Sequence, residues 1–115
     1  MPTPQLTHVR ANVHDLARSI EWYERVLGVR AEGHWPPDSP TYVHFTLGAA
    51  QFAIGRYDPA PSAGVRFNFE VDDVDAWWER LRREDVLEPL FETPYGTRKF
   101  TIRDLDGNEL GFVNA

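Results

Sequence analysis

Cysteine is absent from the chain, which excludes disulfide stapling, a thiol nucleophile and every zinc site built on cysteine. Positive charge is also short: 12 Lys and Arg stand against 18 Asp and Glu, a formal net charge of −6. Such a chain repels a phosphate backbone, so no nucleic-acid partner is expected, whereas a cationic small molecule would be attracted. Long apolar runs are missing too. No segment approaches the roughly 20 residues of a membrane span, and MPTPQLTHV at the start lacks the basic-then-apolar pattern of a secretory leader. The expectation is a cytoplasmic protein with no membrane partner. Neither a glycine-rich phosphate loop nor a His spaced to serve a Ser nucleophile can be read, so no catalytic set emerges.

What is present suits one globular domain. The 115 residues are 42% hydrophobic and 26% charged, enough to bury roughly two thirds of the unfolded surface around one core. Thr7 to Val13 alternates, with Val9, Ala11 and Val13 on one face and His8, Arg10 and Asn12 on the other, as a half-buried strand does. Leu16, Ile20, Tyr23 and Leu27 then recur at helical spacing behind Asp15 as N-cap and ahead of Gly28 as a left-handed terminator. A short strand is expected at Val29 to Glu32, followed by a turn-rich loop, GHWPPDSP, whose paired prolines forbid helix. Thr41 to Leu47 and Gln51 to Gly55 read as a hairpin. RYDPAPSAG reads as a linker.

The second half repeats the plan. Val65 to Val71 alternates, and Val74, Trp77, Trp78 and Leu81 fall on one helical stripe after Asp73. Leu87 to Phe91 is a further strand, and Lys99 to Arg103 with Glu109 to Val113 forms a hairpin around the Asp-Gly turn of DLDGN. One offset, 58 residues, superposes the halves: Val13 meets Val71, Asp15 meets Asp73, Leu16 meets Val74, and Phe52 and Ile54 meet Leu110 and Phe112. The chain therefore divides into modules 1–57 and 58–115 of a single domain, each strand, helix, three strands.

The stretches THVRANVHDLARSIEWYERVLGV, FNFEVDDVDAWWERL and PYGTRKFTIRDLDGNELGF resemble the glyoxalase, bleomycin-resistance and extradiol-dioxygenase proteins, the vicinal-oxygen-chelate superfamily. The resemblance implies an α+β fold of two tandem βαβββ modules. Their curved, mixed sheets form a cup, usually completed in a homodimer, with a ligand inside. In metal-dependent members two His or Gln ligands lie on the first strands of the modules and two carboxylates on the last. The matching positions are His8 and Arg66, then Ala53 and Gly111. Of these only His8 can bind a cation; a guanidinium repels one, and methyl and hydrogen donate nothing. No metal, no cofactor and no catalytic residue is expected.

Those positions instead suggest a binding cup lined by His8, Arg10, Asn12, Arg66 and Asn68. Ala53 and Gly111 leave room, and Glu109 adds a carboxylate. Trp35, in the proline-rich loop, and Tyr95, in a Pro-Tyr-Gly turn like one in bleomycin-resistance proteins, offer aromatic surfaces. Trp22, Trp77 and Trp78 belong to helical stripes and are assigned to packing. The resemblance is to the metal-free, bleomycin-resistance-like branch, and it implies as partner a small molecule, a cationic glycopeptide antibiotic, bound by a homodimer. Two other readings stay open. One is an enzyme of the same fold using non-standard metal ligands, drawn from His44, Glu70 and Glu109, or acid-base chemistry at His8. The other is an interaction module without a ligand.

Overall fold

Alternating strands and capped helices give ten elements in a computed structural model that describes residues 3, 6–57 and 65–114. The first five are β1 (Val9–Val13), α1 (Leu16–Leu27), β2 (Glu32–Trp35), β3 (Tyr42–Leu47) and β4 (Ala50–Arg56). The second five repeat that order as β5 (Arg66–Val71), α2 (Val74–Leu81), β6 (Asp85–Glu92), β7 (Arg98–Arg103) and β8 (Glu109–Asn114). Chain packing separates two compact units, Met1–Pro61 and Ser62–Ala115.

Both helices start alike. The Asp15 carboxylate accepts from the Arg18 N–H at 3.2 Å and that of Asp73 from the Ala76 N–H at 3.1 Å, satisfying donors that the first turn leaves open. Gly28 closes α1 at φ 74°, its N–H donating to the Glu24 carbonyl, a left-handed conformation that a Cβ would disfavour.

Each unit holds one four-stranded mixed sheet, ordered β1-β4-β3-β2 in the first and β5-β8-β7-β6 in the second. β1 runs parallel to β4 and β5 to β8, while the other neighbours are antiparallel. The architecture is the α+β one expected of tandem βαβββ modules. One face of each sheet is the core. In the first unit Tyr23 of α1 is buried against Phe45 and Phe52, ring centroids 6.0 and 5.4 Å away. In the second, Phe112 stacks with Phe69, Trp77 and Phe100 at 5.4, 5.5 and 5.1 Å. Trp78 lies 5.3 Å from Phe100 and Trp22 is buried, so all three helical tryptophans pack.

The strands depart from expectation in three places. β2 starts where the Val29–Glu32 strand was expected to end, so Trp35 terminates a strand rather than sitting in a loop; the prolines at 36 and 37 stop the ladder one residue later. β6 is longer than the expected Leu87 to Phe91 strand, running Asp85–Glu92, and the Pro89 inside it is tolerated by an edge strand with irregular register. The 58-residue offset holds for Val9 against Phe52 and Phe67 against Leu110. It falls to 57 on the third strand, where Phe45 faces Phe52 but Ile102 faces Leu110. The second hairpin loop therefore carries one extra residue. There the buried Asp104 Oδ1 accepts from the Asp106 and Asn108 N–H groups at 2.9 and 2.8 Å.

Candidate functional site

The polar face of the first sheet gathers six of the expected residues, Arg10, Asn12, Trp35, His44 and Ala53 on its strands and His8 just ahead of them. Strand register lines up Arg10, Ala53, His44 and Glu32 across β1, β4, β3 and β2, and Asn12, Gly55, Tyr42 and Trp35 in the next row. Partners in a ladder share a face, so Trp35 ends the second row on the same side as Arg10. It is 65% exposed. His8, just ahead of β1, bonds the Thr7 hydroxyl through Nδ1 at 2.9 Å and stands edge-on to the Tyr42 ring at 6.4 Å. Arg10 Nε donates to Asn12 Oδ1 at 3.1 Å and Nη2 to the Arg56 carbonyl at 3.2 Å. The guanidinium lies over Gly55, where an added Cβ would collide with it. Gly33 leaves similar room for the His44 ring.

The second sheet repeats the face with different electrostatics. Asn68, Gly111, Thr101 and Glu88 form the row matching Arg10, Ala53, His44 and Glu32. The Asn68 amide occupies the space above Gly111. In the neighbouring row Arg66 pairs with Glu109. Arg66 Nε donates to Glu109 Oε1 at 2.9 Å and Nη1 to Glu88 Oε1 at 2.8 Å, the same oxygen that accepts from the Thr101 hydroxyl at 2.7 Å. The Thr101 bond is the main influence holding the Glu88 carboxyl below its usual range, assisted by Arg66 and Lys99 against the effect of burial. Burial opposes the charge on Arg66, but its bonds to Glu109 and Glu88 outweigh that and raise its pKa.

A divalent metal does not fit the family positions. Ala53 and Gly111 offer no donor atom, and Arg66, at the second His or Gln position, carries a fixed positive charge bound to Glu109 and Glu88. Among the described residues no three His, Asp or Glu side chains are grouped to hold a cation. Glu109, expected to add a carboxylate to the cup, is engaged by Arg66. Tyr95 belongs to neither row; it stands 76% exposed in the turn closed by the Thr93 N–H bond to the Thr97 carbonyl at 2.7 Å. Sequence reasoning missed Glu88, Thr101 and Gly55. Glu88 and Thr101 sit at offsets of 56 and 57 from Glu32 and His44, outside the single 58-residue register, and Gly55 looked like an ordinary strand end.

The chain belongs to the Glyoxalase/Bleomycin resistance protein/Dioxygenase superfamily, whose model matches residues 5–112. It is similar to the metallothiol transferase FosB of Staphylococcus haemolyticus, 24% identical over 114 residues that cover 91% of this chain and 79% of that protein. Among solved structures it resembles TioX from Micromonospora sp. ML1, with a TM-score of 0.77 and 24% identity over 96% of this chain and 98% of that one. A lactoylglutathione lyase from Agrobacterium tumefaciens gives a TM-score of 0.76 and 23% identity, covering 99% and 96%. At these identities the structural likeness establishes the fold and leaves chemistry to the residues.

Proposed function

We propose that the chain is a metal-free, non-catalytic protein that captures a small organic molecule on the polar faces of its sheets, in a cytoplasmic homodimer. It acts as one domain of two modules, 1–57 and 58–115. The observation that carries this reading is the Arg66 bridge to Glu109 and Glu88. A guanidinium there removes the Lewis acid through which a metal-dependent member would polarise its substrate. Ala53 and Gly111 stand in place of ligands, although the room expected above Gly111 is taken by the Asn68 amide, and His8, Arg10, Asn12, His44 and Asn68 provide hydrogen bonds to an organic guest. The open sheet edges, β1 and β2 in one unit and β5 and β6 in the other, support pairing with a second copy.

A bleomycin-type antibiotic is the ligand to test first. Its flat heteroaromatic part would stack on the exposed ring of Trp35 or Tyr95. Its cationic groups would compete with Arg66 for Glu109. Tryptophan quenching should give a dissociation constant of micromolar or better, about −8 kcal/mol. Trp35→Ala should weaken binding by about 0.5–1.5 kcal/mol. Absence of quenching at high micromolar drug rejects the antibiotic as ligand, and turnover of an added metal-dependent substrate rejects the non-catalytic reading.

A further inference from the structure

We infer that the polar face of the first sheet is a subsite for an acidic group, a carboxylate or a phosphate-like anion on an organic ligand, with the Arg10 guanidinium as its receptor. This deepens the binding function proposed above and rests on it. Three observations converge on Arg10. The first is its partners: on the polar face of the second sheet Arg66 bonds two carboxylates, whereas among the described residues Arg10 bonds only neutral acceptors, the Asn12 amide and the Arg56 carbonyl. Two of its five N–H groups are used there, which leaves a fork suited to an oxyanion.

The second is its seat. Gly55 lies inside a strand without positive φ, so the glycine is not required by backbone conformation and weakens the strand locally. What it supplies is room, because a Cβ at that position would meet Arg10 Cζ, Nε and Nη2. The guanidinium thus sits in the space that a side chain at position 55 would fill, where it stays exposed to an approaching ligand.

The third is the electrostatic contrast between the repeats. Glu109, which neutralises Arg66 in the second module, has Gln51 as its counterpart 58 residues earlier. The carboxylate in the Arg10 row, Glu32, accepts from the Thr46 hydroxyl at 2.7 Å. In a chain of net charge −6, Arg10 is thus a cation that bonds no carboxylate among the described residues. His8, Tyr42 and His44 beside it add hydrogen-bond donors and ring surface.

Benzoate and benzylammonium carry the same ring with opposite charge. Calorimetry with each probe should be run at about pH 8, above the ordinary imidazole range, on wild type, Arg10→Gln and Arg10→Lys, with circular dichroism to confirm folding. Wild type should prefer benzoate by about tenfold or more, Arg10→Gln should lose that preference, and Arg10→Lys should keep part of it. Equal affinity for both probes, or a preference for benzoate that survives Arg10→Gln, overturns the inference while leaving small-molecule binding intact. If neither probe nor the antibiotic binds at any accessible concentration, the inference and the binding function fall together.

Discussion

Replacing Arg66 by methionine keeps a straight, packable side chain while stripping the cation from between Glu88 and Glu109. A guanidinium bond to a carboxylate contributes about 1.5–3 kcal/mol when shielded from water. Here 29% of the Arg66 side chain and about a third of each glutamate remain exposed, so solvent screening reduces that gain. The variant also leaves two carboxylates facing one another. A loss of about 2 kcal/mol at neutral pH follows, roughly a 30-fold drop in the folding equilibrium constant. The pH dependence carries the sharper information. Glu88 titrates below its ordinary value in the folded chain, so its contribution is present above the unfolded carboxylate range, about pH 4.3, and is lost as pH falls through the lower folded value. In Arg66→Met the Glu88 carboxyl keeps its Thr101 bond but loses the share of that support that Arg66 supplies and protonates more readily, so the penalty should be largest near neutrality and shrink on acidification. Urea unfolding of both proteins at about pH 7.5 and about pH 4 measures it. A penalty that is the same at both values, or below about 0.5 kcal/mol at neutral pH, would refute the bridge as an electrostatic element.

Phe112→Ala removes a ring stacked on three others and should cost about 3–5 kcal/mol, read as a lowered urea midpoint; a loss under about 1 kcal/mol would mean that the aromatic stack is not the core of the second unit. Asp104→Ala leaves the Asn108 N–H without its acceptor in a buried loop and should cost about 1–3 kcal/mol, with faster amide exchange confined to residues 104–108. Elemental analysis after dialysis against mixed divalent ions should find no stoichiometric metal, whereas one tightly held ion per chain that is lost on His8→Ala would show that the chain assembles a site from other donors. Sedimentation should report twice the 13.2 kDa chain mass, and a strict monomer at high concentration would remove the homodimer.

Local periodicity was enough to read most of the fold. Tyr23 and Leu27 on α1, Trp77 and Trp78 on α2, and the alternation of β1 and β5 each record in sequence which face meets the core. The Asp15 and Asp73 caps were legible because their spacing to the helix is fixed by backbone geometry. The β2 boundary was not: Glu32–Trp35 is wholly exposed, so no apolar pattern marks it, and only pairing with β3 defines it. The polar faces were identified from β1 and β5 alone, which placed His8, Arg10, Asn12, Arg66 and Asn68. Their cross-strand partners depend on register, and the extra residue before β8 and the irregularities of β6 shift Thr101 and Glu88 by one and two positions. Gly55 was invisible as a seat for Arg10 because the reason for it is a side chain on another strand.

The central claim, metal-free capture of a small molecule on the polar sheet faces, is tested most directly by amide NMR of the chelator-treated protein titrated with a bleomycin-type antibiotic. The account predicts saturable shifts on the strands that carry Arg10, Asn12, His44, Arg66 and Asn68, unchanged when a chelator is present throughout. Shifts restricted to α1 and α2, or shifts that arise only after a divalent metal is restored, would contradict it.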